Sequence, residues 1–442
     1  MRIFFTVLFF MFAVPACSVD GTKTQPQEGW LAIRNVNVVS MASDQVTPKQ
    51  TVLIKDGKIE AMYEAGSRSV PKGYQVIEGQ GQYLMPGLAD MHTHVRTNQD
   101  LALNVYSGVT TILNLGGPSA VLKMREATAA GQLVGPQIFA GAFLDNNERS
   151  NWWVKDVPTA IQAAQEAKAA GWDVLKVYNS IPKDAFFALV EEAKKQNIPV
   201  TGHGVRAVGL KDSLLAGQKM VAHAEEYIYA YFGRDRSESK AAEIIDITKK
   251  EGVYLIPNLS TYSMINAQYG KDRSSKYLDY TMARPETAYL SADVVNGWKS
   301  GGKFKGRTGN LDEEEAFLYK FSFAIYEAGV PLMAGTDTPL SDIIGMVPGF
   351  NMYHELDAFH NMGLSNYEAL KTATVNPGQF VKQYISKDIN FGMVKEGFRA
   401  DLLLLKNNPL EDLSAVKTLD AVVLQGKWLD KAALSKLLEV KD

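Results

Sequence analysis

One cysteine in 442 residues rules out a disulfide framework, because Cys17 has no partner within the chain. A thiolate-caged structural zinc site is excluded on the same ground. Basic runs are missing as well. The 46 Lys and Arg face 49 Asp and Glu, for a formal net charge of -3, so a nucleic-acid surface has no support. No short-period repeat or low-complexity tract appears. Histidine is scarce at six residues, which makes the position of each informative. What remains is a globular composition, 46% hydrophobic and 10% aromatic, in a chain long enough for one large domain and a smaller companion.

The start of the chain differs from the rest. Met1-Arg2 is a short positive opening, and Ile3 to Ala16 is almost entirely apolar but too short to span a bilayer. Residues 1–17 read as a secretory signal peptide. Its end, Val14-Pro15-Ala16-Cys17, resembles the bacterial lipobox, with Pro15 an unusual occupant. The expectation is an exported protein lipid-anchored through Cys17 at the periplasmic face of a bacterial membrane. The polar stretch 18–29 then reads as a tether.

From Trp30 the texture is short alternating strands: Leu31 to Val39, Thr51 to Ile54, a turn at Asp56-Gly57, Lys58 to Tyr63 and Tyr74 to Glu78. The same texture returns at Ala400 to Leu405 and Ala421 to Trp428. Neither half-set covers its apolar face alone. The reading is a small β-sandwich domain built from both chain ends, residues 30–84 plus 391–442. Between them, residues 85–390 alternate apolar runs with helical stretches, as a parallel sheet does. Eight runs are counted: Leu84 to His94, Val109 to Leu115, Gln137 to Ala142, Asp173 to Tyr178, Ile198 to His203, Met220 to His223, Val253 to Pro257 and Val330 to Asp337. The fold class is therefore α/β, a (β/α)8 TIM barrel with that sandwich attached. Two connections exceed a minimal barrel. They are Asp145 to Val157, with Trp152-Trp153, and Thr261 to Glu315, readable as a lid or as an extra helical layer.

Barrel active sites lie at the C-terminal ends of the strands, and four histidines fall there. His92 and His94 close the first run at i, i+2, a spacing that turns both imidazoles to one side and lets them grip one metal ion. His203 ends the fifth run, His223 the sixth and Asp337 the eighth. Lys176 stands inside the apolar frame Val174-Leu175-Lys176-Val177. A buried ammonium is costly unless it deprotonates, pairs or changes chemically. As a neutral amine it can take up carbon dioxide, and the resulting carbamate can bridge two divalent cations. Each piece alone has an ordinary structural explanation; six on one face do not.

This arrangement resembles the amidohydrolase superfamily. Pro86-Gly87-Leu88-Ala89-Asp90-Met91-His92-Thr93-His94 is similar to its opening motif, and Gly335-Thr336-Asp337 to its last-strand aspartate motif. His354-Glu355-Leu356 and Ala369 to Pro377 resemble the tail helices of the prolidase and imidazolonepropionase-like branch. Gly397 to Leu402 with Asn408-Pro409-Leu410 resembles the return into the sandwich. The resemblance covers nearly everything from Trp30 to Trp428. It implies that His92, His94 and Asp337 hold the more buried of two divalent metal ions. His203 and His223 would hold the second, and N6-carboxylated Lys176 would bridge both. Zinc suits such a donor set first, with manganese, cobalt or iron as alternatives.

The resemblance further implies an amide hydrolase in which the cations activate water and Asp337 is the general base and acid. Substrates would be Xaa-Pro dipeptides or N-acyl and N-aryl-acyl amino acids. A lactonase or phosphotriesterase on the same site, and a non-catalytic surface lipoprotein that kept the barrel for binding, are the alternatives. Candidate substrate contacts are Tyr178, two residues past Lys176, Tyr227 just after His223, Arg206, and His354 beyond the last strand. The tryptophans at 152 and 153 would suit an aromatic group. The expected partner is a small molecule or dipeptide, with a homo-oligomer left open.

Overall fold

A computed structural model describes residues 27 and 29–440. The leader, Cys17 and nearly all of the tether lie outside the described residues. Five strands come first: β1 (Leu31–Val39), β2 (Val46–Lys55), β3 (Lys58–Glu64), β4 (Gln75–Glu78) and β5 (Tyr83–Pro86). Asp56 and Gly57 take φ of 50° and 75°, the positive values that a two-residue hairpin turn needs to join β2 to β3. The barrel region supplies β6 (Leu88–Thr93), β7 (Val109–Leu115), β8 (Gln137–Asp145), β9 (Trp152–Trp153), β10 (Val174–Val177), β11 (Val200–Gly202), β12 (Met220–Ala222) and β13 (Tyr254–Ile256). The tail adds β14 (Leu402–Leu405), β15 (Leu419–Leu424) and β16 (Lys427–Asp430).

The terminal strands form one continuous sheet in the order β16-β15-β14-β5-β1-β2-β3, with β4 also on β1. Ile33, Ile54, Leu84, Leu402, Leu404 and Val423 share a single buried cluster, so the two chain ends cover each other's apolar faces. The second sheet runs β6-β7-β8-β10-β11-β12-β13, parallel throughout and in sequence order. Its interior is filled by Met91, Leu113, Phe139, Val174, Met220, Ile256 and Met333. A plugged barrel leaves only the strand ends for chemistry. Among the described residues, no helix is long and apolar enough to cross a membrane.

The eighth run closes the barrel without a regular ladder. Leu332 bridges Leu255 and Thr338 bridges Thr93, both in parallel. The amides of Thr336 and Asp337 both donate to the carbonyl of His92. The first run also departs from expectation, because Leu84 to His94 is two strands. β5 pairs with β14 in the terminal sheet, and β6 starts the barrel two residues later. Gly87 makes the crossing, where a Cβ would meet Thr110 Oγ1 at 2.1 Å. The long excursion is a helical layer, with helices Leu259–Ala267, Lys271–Met282 and Ala292–Lys299. Buried Trp298 packs on Ile344 and Val347, which docks that layer against the connection after the eighth run.

Candidate metal centre

β6 delivers His92 and His94 to the barrel mouth, where they meet Asp337. Asp337 Oδ1 lies 3.1 Å from His92 Nε2 and 2.8 Å from His94 Nε2. The ligand atoms of these three residues all fall within 4.8 Å of one another. His223 joins from the end of β12, its ring 4.7 Å from that of His92 and 4.8 Å from that of His203, which follows β11. His223 and Asp337 adopt left-handed backbone, φ 75° and 60°, at a cost of about 1–2 kcal/mol each. Such local strain clusters at functional sites. At the end of β11, Gly202 is confined by Val177, whose carbonyl oxygen would lie 2.5 Å from a Cβ. That close approach brings His203 alongside β10.

The outer nitrogens decide what the inner ones can do. His94 Nδ1 donates to the Gly116 carbonyl at 3.0 Å. His92 Nδ1 lies 3.3 Å from Asn258 Oδ1, and the Asn258 amide is oriented by its donation to Gly335 O at 2.8 Å. His203 Nδ1 is shared by Asn179 Oδ1 at 3.1 Å and Glu226 Oε1 at 3.3 Å. With Nδ1 protonated, each Nε2 presents a lone pair. For His92 and His94 that lone pair faces the Asp337 carboxylate. Acceptors facing one another at this distance repel unless a proton or a metal cation lies among them. Burial works against the proton, pushing His92 down to about 4 and lowering His203 and His223 as well. Burial alone would raise Asp337, but the histidines beside it hold its carboxyl well below the usual range. A buried set of imidazoles around one carboxylate fits a divalent metal ion.

Lys176 sits among these groups at 2% exposure. β10 turns Val174, Lys176 and Tyr178 to the barrel interior, while Leu175 and Val177 pack outward. Burial pushes the Lys176 amine down to about 8, against the pull of Asp337 and Glu226. Among the described residues its Nζ finds only the Leu115 carbonyl at 3.4 Å and the rings of Phe143 and Tyr178, so none of their acids pairs with it directly. Five of the six, His94, Lys176, His203, His223 and Asp337, open on one cavity of about 620 Å3, walled by Phe143, Asn151 and Tyr178 and edged by Arg96, Arg149 and Lys303, while His92 lies fully buried behind them.

Of the four candidate substrate contacts, Tyr178 faces this cavity, its ring 4.1 Å from that of His203. The other three are placed elsewhere. Tyr227 is fully buried, with its hydroxyl on Thr248 Oγ1 at 3.1 Å and its ring against Phe321, because the loop after His223 winds at once into a helical turn and carries the side chain into the core. Arg206 is committed to Glu226, with Nη2 2.9 Å from Oε1. His354, on helix Asn351–Met362, points its Nε2 at Arg284 and lines two other cavities. Trp152 packs on Trp172, and Trp153 is solvent-exposed with its indole on Asn146, so neither lines the metal cavity.

Several contributors went unread in the sequence: Asn258, Asn179 and Glu226 behind the histidines, and Arg96, Arg149 and Lys303 at the rim. Asn258 had a signal, since it directly follows Ile256-Pro257 at the end of the seventh strand.

The amidohydrolase family profile matches residues 83–429. The chain is 23% identical to ochratoxinase of Aspergillus niger over 405 residues, 77% of this chain and 73% of that protein. Its fold is similar to that of a bottromycin amidohydrolase, with a TM-score of 0.72 at 21% identity over 93% of this chain and 89% of the other. It is also similar to that of a Xaa-Pro dipeptidase solved with methionine in its active site, with a TM-score of 0.65 at 19% identity over 91% of this chain and 100% of the other. At such identities these likenesses concern the fold alone.

Proposed function

The chain belongs to the amidohydrolase family, and from that premise we propose that it cleaves the amide bond of small anionic substrates, Xaa-Pro dipeptides or N-acyl and N-aryl-acyl amino acids. One observation carries the anionic part. Arg96, Arg149 and Lys303 edge the metal cavity, come from three separate connections, and have no carboxylate within ion-pair reach among the described residues. Asp342 is the one further acid in the lining, besides Asp337 itself. A rim with excess positive charge favours a substrate carboxylate, held while the amide lies over the histidines.

His92, His94 and Asp337 would hold one divalent ion, zinc first, and His203 and His223 a second, with Lys176, as its carbamate, a further ligand. Such ions supply Lewis acidity, which acidifies water and polarises the scissile carbonyl. The protein's own groups do the rest. Asn258, Gly116 and Glu226 fix the imidazoles through their outer nitrogens. Asp337 Oδ2 makes no hydrogen bond to another described residue, so it is available to take a proton from the attacking water and return it to the leaving amine. Tyr178 bounds the space for the acyl group. The apolar leader and Cys17 support a lipid-anchored location at the periplasmic face. Palmitate labelling that persists in Cys17→Ser would overturn this.

The deciding experiment measures metal content and turnover together, on chain lacking the leader and in Lys176→Ala. Two metal equivalents in the parent, a loss of at least one in the variant, and hydrolysis of Ala-Pro or an N-acyl-phenylalanine are expected. Faster turnover of a lactone or a phosphotriester would move the assignment to those bonds. One equivalent, unchanged by the substitution, would remove Lys176 from metal binding.

A further inference from the structure

A second cavity, of about 350 Å3, opens where the excursion, helix Asn351–Met362 and the C-terminal helix Lys431–Leu437 meet. That volume suits a small ligand. None of the six metal-site residues lines it. One side is aromatic. Phe350 stands 5.8 Å from Tyr106 and 6.4 Å from Tyr353, ring centre to ring centre, and is backed by a stacked Tyr289. Flat ring faces on a cavity wall accept another ring at low entropic cost.

The polar side is cationic. Arg284 is drawn in until its side chain is only 12% exposed, where it pairs with Glu286 and donates to His354 Nε2. A guanidinium cannot accept, so this contact requires a neutral imidazole, and His354 adds no charge. Lys417 meets Asp357 at 3.3 Å, with its ammonium 5.8 Å from the Tyr353 ring centre. Lys431 has no carboxylate within ion-pair reach among the described residues. Three cations, Arg284, Lys417 and Lys431, thus stand against two acids, Glu286 and Asp357, which leaves one positive charge unbalanced beside the aromatic wall.

We propose that this cavity is a second ligand site, separate from the metal centre, for a small aromatic carboxylate. Its ring lies against Tyr106 and Phe350, and its carboxylate meets Lys431. The assignment is independent of the substrate of the metal site. It has a route to that site, however. Glu355, the residue after His354, accepts from the amides of Leu259 and Ser260, which directly follow the asparagine that holds His92.

The test is calorimetric titration of the metal-loaded chain with 4-hydroxyphenylacetate and with the neutral 4-ethylphenol. Saturable binding of the carboxylate is expected, about tenfold tighter than the phenol. Lys431→Glu, an exposed position, should weaken this binding event about tenfold or more, whereas Arg149→Glu, which would weaken only a carboxylate held over the metal centre, should leave in place the event that Lys431→Glu removes. Absence of saturable binding, equal affinity for the two probes, a titration unchanged by Lys431→Glu, or loss of the same event in Arg149→Glu would each overturn the proposal.

Discussion

Glu226 Oε1 and His203 Nδ1 lie 3.3 Å apart, and the same carboxylate holds the Arg206 guanidinium and, through Oε2 at 2.9 Å, the Gly204 amide. The carboxylate is almost wholly buried, yet the hydrogen bonds from His203 and Arg206 outweigh the burial and keep it ionised, far below the usual carboxylate range. One residue thus sets the ring angle of a candidate metal ligand and neutralises the arginine beside it. Glu226→Ala should lower unfolding free energy by about 1–3 kcal/mol, because the buried Gly204 amide and His203 Nδ1 lose an acceptor while the part-exposed Arg206 can turn to solvent. Glu226→Gln, which keeps the shape, should cost mainly metal affinity, about 10- to 100-fold. Urea melts and metal-buffer titrations of the two variants separate these effects.

Asp337 contributes one oxygen to two histidines and leaves the other toward the cavity. Asp337→Asn keeps the volume and removes the base. Turnover should fall about 10²- to 10⁴-fold, while far-ultraviolet dichroism stays that of the parent. Turnover within threefold of the parent would exclude Asp337 as the proton carrier.

Tyr227 offers the opposite expectation. Its hydroxyl serves Thr248 inside the core. Tyr227→Phe should leave KM and kcat within about twofold and cost about 1 kcal/mol of stability, the usual worth of a buried hydrogen bond. A large rise in KM with unchanged stability would return Tyr227 to the substrate.

His354 gives a pH signature. Burial first, then the charge of Arg284, lowers its pKa to about 4, below the ordinary histidine value of 6.5. Between those values the unfolded chain binds the proton and the folded chain does not, so this residue makes stability fall as pH drops from about 6.5 to about 4. His354→Gln can still accept from Arg284 but does not titrate. The difference in melting temperature between parent and variant, both metal-loaded, should therefore move in the variant's favour across that window. A pH-independent difference would contradict the neutral imidazole.

The candidate metal ligands were legible because all but Lys176 stand at or beside a strand end, and strand ends show in a sequence as the last residue of an apolar run. His92 and His94 needed only the two-residue repeat, and Lys176 only the contrast with Val174, Leu175 and Val177. Contacts made by loops were not legible. The rim cations at 96, 149 and 303 lie in three connections whose meeting is decided by packing around Trp298 and by the turn at Asn151. Tyr227 misled because nearness to His223 in sequence says nothing about direction once the chain enters a helical turn. The run from Leu84 to His94 misled because an apolar stretch does not announce that it changes sheets. The glycine inside it did carry that information, in the side-chain-free crossing it allows.

The pairing of β5 with β14 also has a meaning for biosynthesis. Leu84 lies opposite Leu404, so the strand that leads into His92 and His94 has an unsatisfied edge until nearly the whole polypeptide has left the ribosome. The nascent barrel must wait with its first ligands made and its flank open, a state that invites aggregation or chaperone binding. Completion of the terminal sheet is then a late event in the life of each molecule, and a translation product stopped short of Leu402 carries the candidate ligands without the seam that anchors their strand.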